Sequence, residues 1–406
     1  MEIFTPLRMY NTSKMSNPPP HDPAIQSRRR FLAGRTARGG SSQPPTADKP
    51  AETLQDREPN SREPNSREPS SREPSSGRRT YLVELTRSAM ACTFAVLLNA
   101  DRDSDATEHG IEALELVDRL EQQLSVYRAT SDVSELNRSA HQAAQMVESD
   151  LLDLINRCIQ RSIDTNGAFD ITSAPLGRAW GFHHRQASLP DANALDRSLQ
   201  CVGYDRLRVD NAKTTLSYQD SSVSIDFGAV GKGYALDRCA RQMEDGGVTD
   251  FMIHGGKSSV LARGSRSGAG CAGWKLDLRH PLRPDEPFLR FRLCDKGLGT
   301  SGDATQHFYH QGKRYGHILD PRSGWPATGV ISSTVIAAEA ETADALATAF
   351  YVMGPRDAAE YCRRFEDVSA VLTTETETAG RLRLHLLGMD DQDWELLAAP
   401  STIDRT

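Results

Sequence analysis

Residues 81–100 read YLVELTRSAMACTFAVLLNA, and this stretch decides the class of fold. β-forming residues, partly alternating with polar ones, lie on both sides of residues 90–93 and predict two β-strands joined by a turn. Residues 106–126 then carry apolar side chains at helical spacing. Two strands followed by a long helix indicate a fold that mixes sheet and helix.

The rest of the chain continues this mixture. The same patterns predict helices at 148–165, 231–245, 341–353 and 356–365, and strands at 223–227, 250–254, 274–279, 288–293, 331–337 and 368–373. The strands do not alternate regularly with helices, so a parallel β-α-β sheet is not indicated. We expect an α+β fold with mixed, largely antiparallel sheets and packed helices, in one two-lobed domain over residues 79–400.

Residues 1–78 have a different composition. They are rich in Pro, Ser, Arg and Glu, and from Asp56 they repeat a five-residue unit, DREPN SREPN SREPS SREPS. Few apolar side chains are present to offset the entropy lost on ordering. We therefore predict a disordered tail without chemistry of its own.

Charge and cysteine content exclude several classes of protein. The 406 residues carry a formal net charge of -7, with both signs interspersed, which argues against a nucleic-acid partner. The seven cysteines are scattered and form no C-x-x-C pair, so we expect them to be reduced or merely buried, without a disulfide framework or zinc site. No apolar run reaches the roughly 18 residues that cross a bilayer.

The compartment depends on residues 27–32, SRRRFL, which match a twin-arginine export signal. An apolar stretch should follow such a signal, whereas AGRTARGGSSQPP follows here. One interpretation is a basic patch in a disordered tail of a cytoplasmic protein. The other is export to the periplasm or the membrane face.

Asp344 and Thr348 are four residues apart on the predicted helix 341–353, so both side chains project from one face. A carboxylate and a hydroxyl are oxygen donors of the kind that Mg²⁺ prefers, and Mg²⁺ often shares its ligands with substrate phosphates. The alternative is structural, because Asp near a helix start complements the helix dipole and Thr is often buried.

Residues 225–234, IDFGAVGKGY, predict a strand that runs through a glycine-rich turn into a helix. Backbone N–H groups at such a helix start suit a phosphate group. The spacing is not that of a P-loop, because only two residues separate Gly228 from Gly231 and Gly233 follows Lys232. A tight turn without a ligand is the alternative.

Three loops add aromatic and titratable side chains. Residues 167–170, GAFD, and Tyr127 could stack on and hydrogen-bond to a planar ring system, or they could cover the core. In residues 315–328, YGHILDPRSGWPAT, His317 could act as acid, base or hydrogen-bond donor. Arg322 could hold a phosphate or stabilise the loop itself.

In their order along the chain these stretches resemble one known family. The stretches are MACTF, LSVYRATSDVSELN, GAFDITSAPLGRAWGF, SIDFGAVGKGYALD, IHGGKSSVLARG, WKLDLRHP, GTSGD, YGHILDPRSGWPAT and TADALATAFYVMG, which together span residues 90–354. They resemble the FAD:protein FMN transferases, the ApbE-like flavin transferases, whose fold is described as T-fold-like.

The resemblance implies a Mg²⁺-dependent transferase. Such an enzyme binds FAD as its substrate, transfers the FMN moiety to a threonine hydroxyl of an acceptor flavoprotein, and releases AMP; the acceptor could be a subunit of a membrane redox complex. By position in the motifs, the metal ligands would be Gly231, Asp344 and Thr348. FAD would contact Met90, Tyr127, Ala168, Phe169, Asp170, Gly228, Tyr234 and Ile318, and His317 and Asp344 would serve catalysis.

The sequence departs from the family at Lys257, which follows Gly255-Gly256 where an acidic or small residue is usual. This lysine could change the rim that meets the acceptor. Two other functions remain open: a Mg²⁺-dependent FAD hydrolase that yields FMN and AMP, and a protein that binds FAD without turnover. A third, an interaction protein that works through its repetitive tail, would need residues 1–78.

Overall fold

The computed structural model describes residues 82–99, 105–182, 187–266, 273–302, 306–378, 380–398 and 402–405. Their largest element is a nine-stranded sheet. Its strands, in the order in which they lie side by side, are β1 (Leu82–Ala89), β2 (Cys92–Asn99), β6 (Phe251–Gly255), β7 (Ser259–Arg263), β10 (Lys296–Gly302), β13 (Val330–Ala337), β14 (Ser369–Glu375), β15 (Leu382–Leu387) and β17 (Thr402–Arg405). Neighbouring strands are antiparallel except for the parallel pair β15 and β17.

Smaller sheets and seven helices complete the described part of the chain. The small sheets are β3 (Gln145–Met146) with β4 (Leu207–Asp210) and β5 (Thr215–Tyr218); β8 (Trp274–His280) with β9 (Arg283–Leu293) and β16 (Trp394–Leu396); and β11 (His307–His310) with β12 (Lys313–Gly316). The helices are α1 (Ala106–Leu124), α2 (Asp132–Ser139), α3 (Ser149–Asp164), α4 (Ala174–Ala179), α5 (Ala192–Leu199), α6 (Gly231–Asp245) and α7 (Ala340–Arg364). This is the predicted α+β fold with largely antiparallel sheets.

The turn between β1 and β2 lies where the sequence predicts it. Met90 and Ala91 both adopt left-handed backbone conformations, with φ of 48° and 57°. Two such residues in succession match the right-handed twist of a two-residue hairpin, which pairs Ala89 with Cys92.

Alternation along β2 divides the core into two layers. Phe94, Val96 and Leu98 pack into the cluster that includes the apolar faces of α1, α3, α6 and α7. Ala95 and Leu97 face the other way, into a cluster built largely with β8 and β9. Since both faces are covered, β2 is apolar from Phe94 to Leu98, which explains its uninterrupted AVLL run.

Two glycines bring α7 unusually close to the sheet. A side chain at Gly297 would meet backbone atoms of Ala340 at 2.5 Å, and one at Gly299 would meet backbone atoms of Ala343 and Asp344 at 2.5–2.6 Å. The sequence KGLGTSG of β10 therefore provides a flat strand against which the first turns of α7 lie directly. This contact fixes the position of Asp344 relative to the end of β10.

Several sequence expectations need correction. Residues 223–227 form no strand, because the side chain of Asn137 takes the hydrogen bonds of Ile225, donating to its carbonyl at 2.9 Å and accepting from its N–H at 2.8 Å. Cys294 is disulfide-bonded, while the other cysteines among the described residues are free thiols. The expectation that the cysteines are reduced or merely buried is wrong for Cys294.

The predicted helices 341–353 and 356–365 are joined in α7, with a non-helical Gly354 (φ 79°) followed by Pro355 at the predicted break. Within the described residues, no helix combines the length and apolar character that a membrane span needs. The predicted tail, residues 1–78, and the SRRRFL stretch lie outside the described residues, so both expectations stay predictions.

Candidate active site

A cleft of about 500 Å³ opens where the end of β10, the start of α6 and the first turns of α7 meet. This volume lies within the range of small-molecule sites. Residues from most of the predicted motifs line it: Tyr127, Ala168, Phe169, Asp170, Gly228, His317, Ile318, Asp344 and Thr348. Segments up to 221 positions apart in sequence therefore converge on one site.

Asp344 is the most constrained polar side chain of the cleft. It is 5% exposed, and its Oδ2 accepts hydrogen bonds from the Gly233 N–H and the Ser259 hydroxyl, both at 2.8 Å. Burial raises the pKa of Asp344, and the nearby charge of Lys232 and the two hydrogen bonds oppose that rise. Its other oxygen, Oδ1, has no hydrogen-bond partner among the described residues.

Thr348 lies one helical turn beyond Asp344 on the same face of α7. Its Oγ1 is 3.0 Å from the hydroxyl of Ser301, which also lines the cleft. A carboxylate oxygen and neutral hydroxyls are hard donors, so this set fits a magnesium ion that completes its coordination with water or substrate oxygens. The chemistry of the donors agrees with the metal site expected from the sequence.

The glycine turn lies next to these donors. Gly231 is the first residue of α6 and Gly233 follows two residues later, where its N–H binds Asp344. A side chain at Gly233 would meet the Ala340 carbonyl oxygen at 2.2 Å, so only glycine lets α6 begin this close to α7. Gly228 and Lys232 face the cleft from the same turn and bring a cation to it.

The GAFD segment, residues 167–170, contributes Ala168, Phe169 and Asp170 to the lining of the cleft. Phe169 and Asp170 are only 2% and 7% exposed. The Asp170 carboxylate accepts from the Thr172 N–H and hydroxyl at 2.8 and 2.7 Å and from the Tyr204 N–H at 2.9 Å. Asp170 thus organises the loop, whereas Tyr127, with 74% of its surface exposed, is available to a ligand at the mouth of the cleft.

His317 enters the cleft from residues 315–328. Its Nδ1 is 3.1 Å from the Gln306 carbonyl oxygen, and its ring meets the edge of Phe182 at 6.4 Å. A carbonyl oxygen only accepts, so Nδ1 carries a proton, and in the neutral form of the ring the lone pair is on Nε2. This tautomer is the one required of a base.

Hydrogen bonds within residues 315–328 and to Trp180 hold the loop that carries His317. Asp320 accepts from the N–H of Arg322 at 2.9 Å and from its guanidinium at 2.8 and 2.9 Å, and the Gly324 carbonyl accepts from the Trp180 indole at 2.8 Å. Arg322 therefore stabilises the loop, which is one of the two roles open from the sequence. His317, Ile318 and Pro321 form a wall of the cleft.

Two predicted FAD contacts lie apart from the residues that line the cleft. Met90 is in the β1–β2 turn and packs against the core. Tyr234 is 2% exposed, and its hydroxyl accepts from Arg238 at 2.8 Å, while Arg238 pairs with Asp150 at 2.6 Å. The structure gives Tyr234 a place in the core behind the glycine turn.

An acidic cluster of Asp237, Glu339 and Glu341 lies at the start of α7, apart from Asp344. Asp237 accepts from the N–H groups of Ala340 and Glu341, both at 2.8 Å, and Glu341 pairs with Arg157. Asp237 therefore caps the helix and Glu341 neutralises an arginine. The second oxygen of Glu341, Oε1, is buried without a hydrogen-bond partner.

Motif reading alone missed several cleft residues. Lys232 lies within IDFGAVGKGY without a role predicted for it. Ser259 is fully buried and does not line the cleft, but it donates to Asp344 across 85 positions of sequence. Thr300, Ser301 and Gln306 also line the cleft. The sequence carries a signal for Thr300 and Ser301, because both belong to GTSGD, one of the stretches that resemble the family.

Comparison with known proteins identifies the family of this chain. The ApbE family model matches residues 90–372. A FAD:protein FMN transferase of Haemophilus influenzae is 26% identical over 299 residues, covering 71% of this chain and 85% of the relative. One from Escherichia coli K12 is 30% identical over 273 residues, covering 66% and 76%.

A solved structure agrees as well. The ApbE protein from Thermotoga maritima aligns with a TM-score of 0.65 at 27% identity, covering 72% of this chain and 94% of that one. The matched segment contains every residue that lines the cleft, from Tyr127 to Thr348. The chain belongs to the ApbE family.

Proposed function

We propose that this protein transfers the FMN moiety of FAD to a threonine hydroxyl of an acceptor flavoprotein, with Mg²⁺ as cofactor and AMP as the leaving group. The convergence of Asp344, Thr348, the glycine turn and His317 on one cleft carries the proposal. The FAD:protein FMN transferases among its relatives support it.

Attack on the diphosphate of FAD creates a need for charge neutralisation and for positioning, which are the main contributions that proteins make to phosphoryl transfer. Mg²⁺ supplies Lewis acidity toward phosphate oxygens when bound. Asp344 Oδ1 and the Thr348 hydroxyl would hold it, together with the carbonyl of Gly231. Lys232 adds a positive charge on the same side of the cleft.

His317 is suited to accept the proton of the threonine hydroxyl. The Gln306 carbonyl fixes the Nδ1–H tautomer, which leaves Nε2 as the basic atom. The contact with Phe182 and the hydrogen-bonded 315–328 loop hold the ring in place. Removing the proton as the oxygen attacks phosphorus makes a weak nucleophile competent at neutral pH.

The site has room for a long substrate. A second cleft of about 490 Å³ meets the first at Tyr127 and Ala174. Hydroxyl and amide side chains line it, including Ser134, Asn137 and Ser222. FAD has two halves joined by the diphosphate, and the two adjoining clefts offer space for its halves or for the acceptor segment.

The acceptor that we propose is a flavoprotein, with a subunit of a membrane redox complex as the first candidate. The compartment of the protein depends on whether residues 27–32 function as an export signal. Fusing residues 1–78 to a reporter that matures only after export tests this directly: export places the enzyme at the periplasmic membrane face, and retention places it in the cytoplasm.

The proposed function is tested by incubating the purified protein with FAD, Mg²⁺ and a candidate acceptor domain. Intact-mass measurement should show the acceptor gaining FMN less one water, with one AMP released per adduct. Threonine-to-alanine replacement in the acceptor should abolish the adduct. Free FMN and AMP without any adduct would instead establish the hydrolase, and unchanged FAD would leave only a binding protein.

A further inference from the structure

We propose that Ser259 is a positioning residue that holds the Asp344 carboxylate in the orientation required for metal binding. This inference rests on the proposed function, because it concerns the same metal site. Ser259 is fully buried, and its hydroxyl donates to Asp344 Oδ2 at 2.8 Å. It acts through Asp344.

Two donors from different elements act on a single oxygen. The Ser259 hydroxyl comes from β7 and the Gly233 N–H from α6, and both lie 2.8 Å from Oδ2. A carboxylate held by one donor can still rotate about its Cβ–Cγ bond, whereas two donors that approach from different directions fix its plane. Oδ1 is then the oxygen left for a cation.

The sheet register places Ser259 where this contact is possible. Ser259 pairs with Gly299 of β10, and the absence of a side chain at Gly299 lets the backbone of Asp344 approach the strand. The tight turn at Gly256 and Lys257, with φ of 60° and 68°, makes Ser259 the first residue of β7. Hairpin, register and glycine together bring the hydroxyl beside the carboxylate.

Outer-shell partners of metal-binding carboxylates typically change metal affinity by about 10- to 100-fold when they are removed. A hydroxyl is the suitable donor here, since it is uncharged and stabilises the carboxylate without competing for the cation. Ser259→Ala should leave Oδ2 with the Gly233 N–H alone. The carboxylate would then sample orientations in which Oδ1 no longer faces the cleft.

The test measures Mn²⁺ binding to the full-length protein by electron paramagnetic resonance, with FAD present and no acceptor. We expect Ser259→Ala to weaken Mn²⁺ binding about 10-fold and Ser259→Thr, which keeps the hydroxyl, to restore most of it. Thr373→Val is the matched control, because Thr373 is a buried hydroxyl of the same sheet with no hydrogen-bond partner. It should bind Mn²⁺ like the unchanged protein.

Thermal unfolding of each variant separates metal affinity from folding. If Ser259→Ala is folded and binds Mn²⁺ as tightly as the unchanged protein, the positioning role is refuted. The same holds if Ser259→Thr, once shown to be folded, binds as weakly as Ser259→Ala. Failure of the proposed metal site looks different: Asp344→Asn would then bind Mn²⁺ unchanged.

Discussion

At the residue scale, the decisive feature is that the two oxygens of Asp344 have different surroundings. Oδ2 faces two donors within the protein, and Oδ1 faces none among the described residues. The spacing of Asp344 and Thr348 alone predicts that they share a helix face. The donors that orient Asp344 could not be predicted from spacing, because they depend on sheet register and on the packing of α6.

Asp344→Asn should remove the charge and keep the shape. The amide oxygen can still accept from Gly233 and Ser259, so we expect the variant to fold normally. Its free energy of unfolding should be no lower than that of the original, because burial raises the pKa of Asp344 and disfavours its charged form. FMN transfer should fall by at least about 100-fold, because a metal ligand is lost. Circular dichroism measures the folding of the variant, and a mass-based assay measures its rate of FMN transfer. Transfer at the original rate would show that Asp344 is not a metal ligand.

His317→Gln should slow transfer by about 100-fold or more, which is the usual contribution of a general base. FAD affinity, measured by fluorescence quenching, should change little. His310→Gln serves as the control, because His310 is an exposed residue at the end of β11 and lies outside the cleft. Equal rates for the two variants would show that His317 does not accept the proton.

At the element scale, the contact between α7 and its neighbours connects fold and site. Gly233 and Gly299 let α7 touch α6 and β10 through backbone atoms, and Asp237 caps its first turn. Periodicity predicts α6 and the break in α7 closely. It fails at residues 223–227, because hydrogen bonds from the Asn137 side chain replace a strand partner there.

Gly299→Ala should displace α7, since the new Cβ would lie 2.5–2.6 Å from backbone atoms that cannot rotate away. Overpacking of this kind costs about 1–3 kcal/mol of unfolding free energy. The same shift moves Asp344, so Mn²⁺ affinity should fall together with stability. Unfolding in urea measures the stability of the variant, and Mn²⁺ titration measures its metal affinity. A variant as stable as the original would contradict the close contact between β10 and α7.

The carboxyl of Asp237 should make the stability of the folded protein depend on pH. Burial raises the pKa of this carboxyl to about 7 in the folded protein. Between its unfolded pKa of about 4 and the folded value, the folded state holds a proton that the unfolded state has lost, so stability falls as pH rises, by up to about 1.4 kcal/mol per pH unit. The stability that the Asp237 proton contributes is fully present below about pH 4 and is lost as the pH rises through about 7.

Asp237→Asn removes the titrating group, so this part of the slope should disappear between pH 5 and 7. The amide retains one acceptor for the N–H groups of α7 in place of two, and the variant should be less stable at every pH in that range. Urea unfolding at several pH values measures both effects. An identical slope in the two proteins would show that Asp237 is ionised throughout.

At the scale of the whole molecule, the opening strand-strand-helix pattern predicts the class of fold, and the order of the motifs predicts the family. Residues from most of these motifs line one cleft. The small strands β3, β5, β11 and β16 could not be predicted, because two- to four-residue strands carry too few positions to show a period. The disulfide at Cys294 escaped notice for a related reason: cysteine spacing carries no information on distance in space.

Residues 1–78 should be dispensable for chemistry. They lie outside the segment that matches the family, which begins at residue 90. A protein that begins at residue 79 should bind FAD and transfer FMN at rates within about twofold of the full chain. Loss of transfer with FAD binding intact would instead assign the tail a role in docking the acceptor.

In the proposed site, one divalent cation binds between Asp344 and Thr348. The most direct measurement is an anomalous-scattering map from crystals grown with Mn²⁺ and FAD. We predict a peak about 2 Å from Asp344 Oδ1 and from the Thr348 hydroxyl, beside the FAD diphosphate. A peak among Asp237, Glu339 and Glu341, with none at Asp344, would contradict the account.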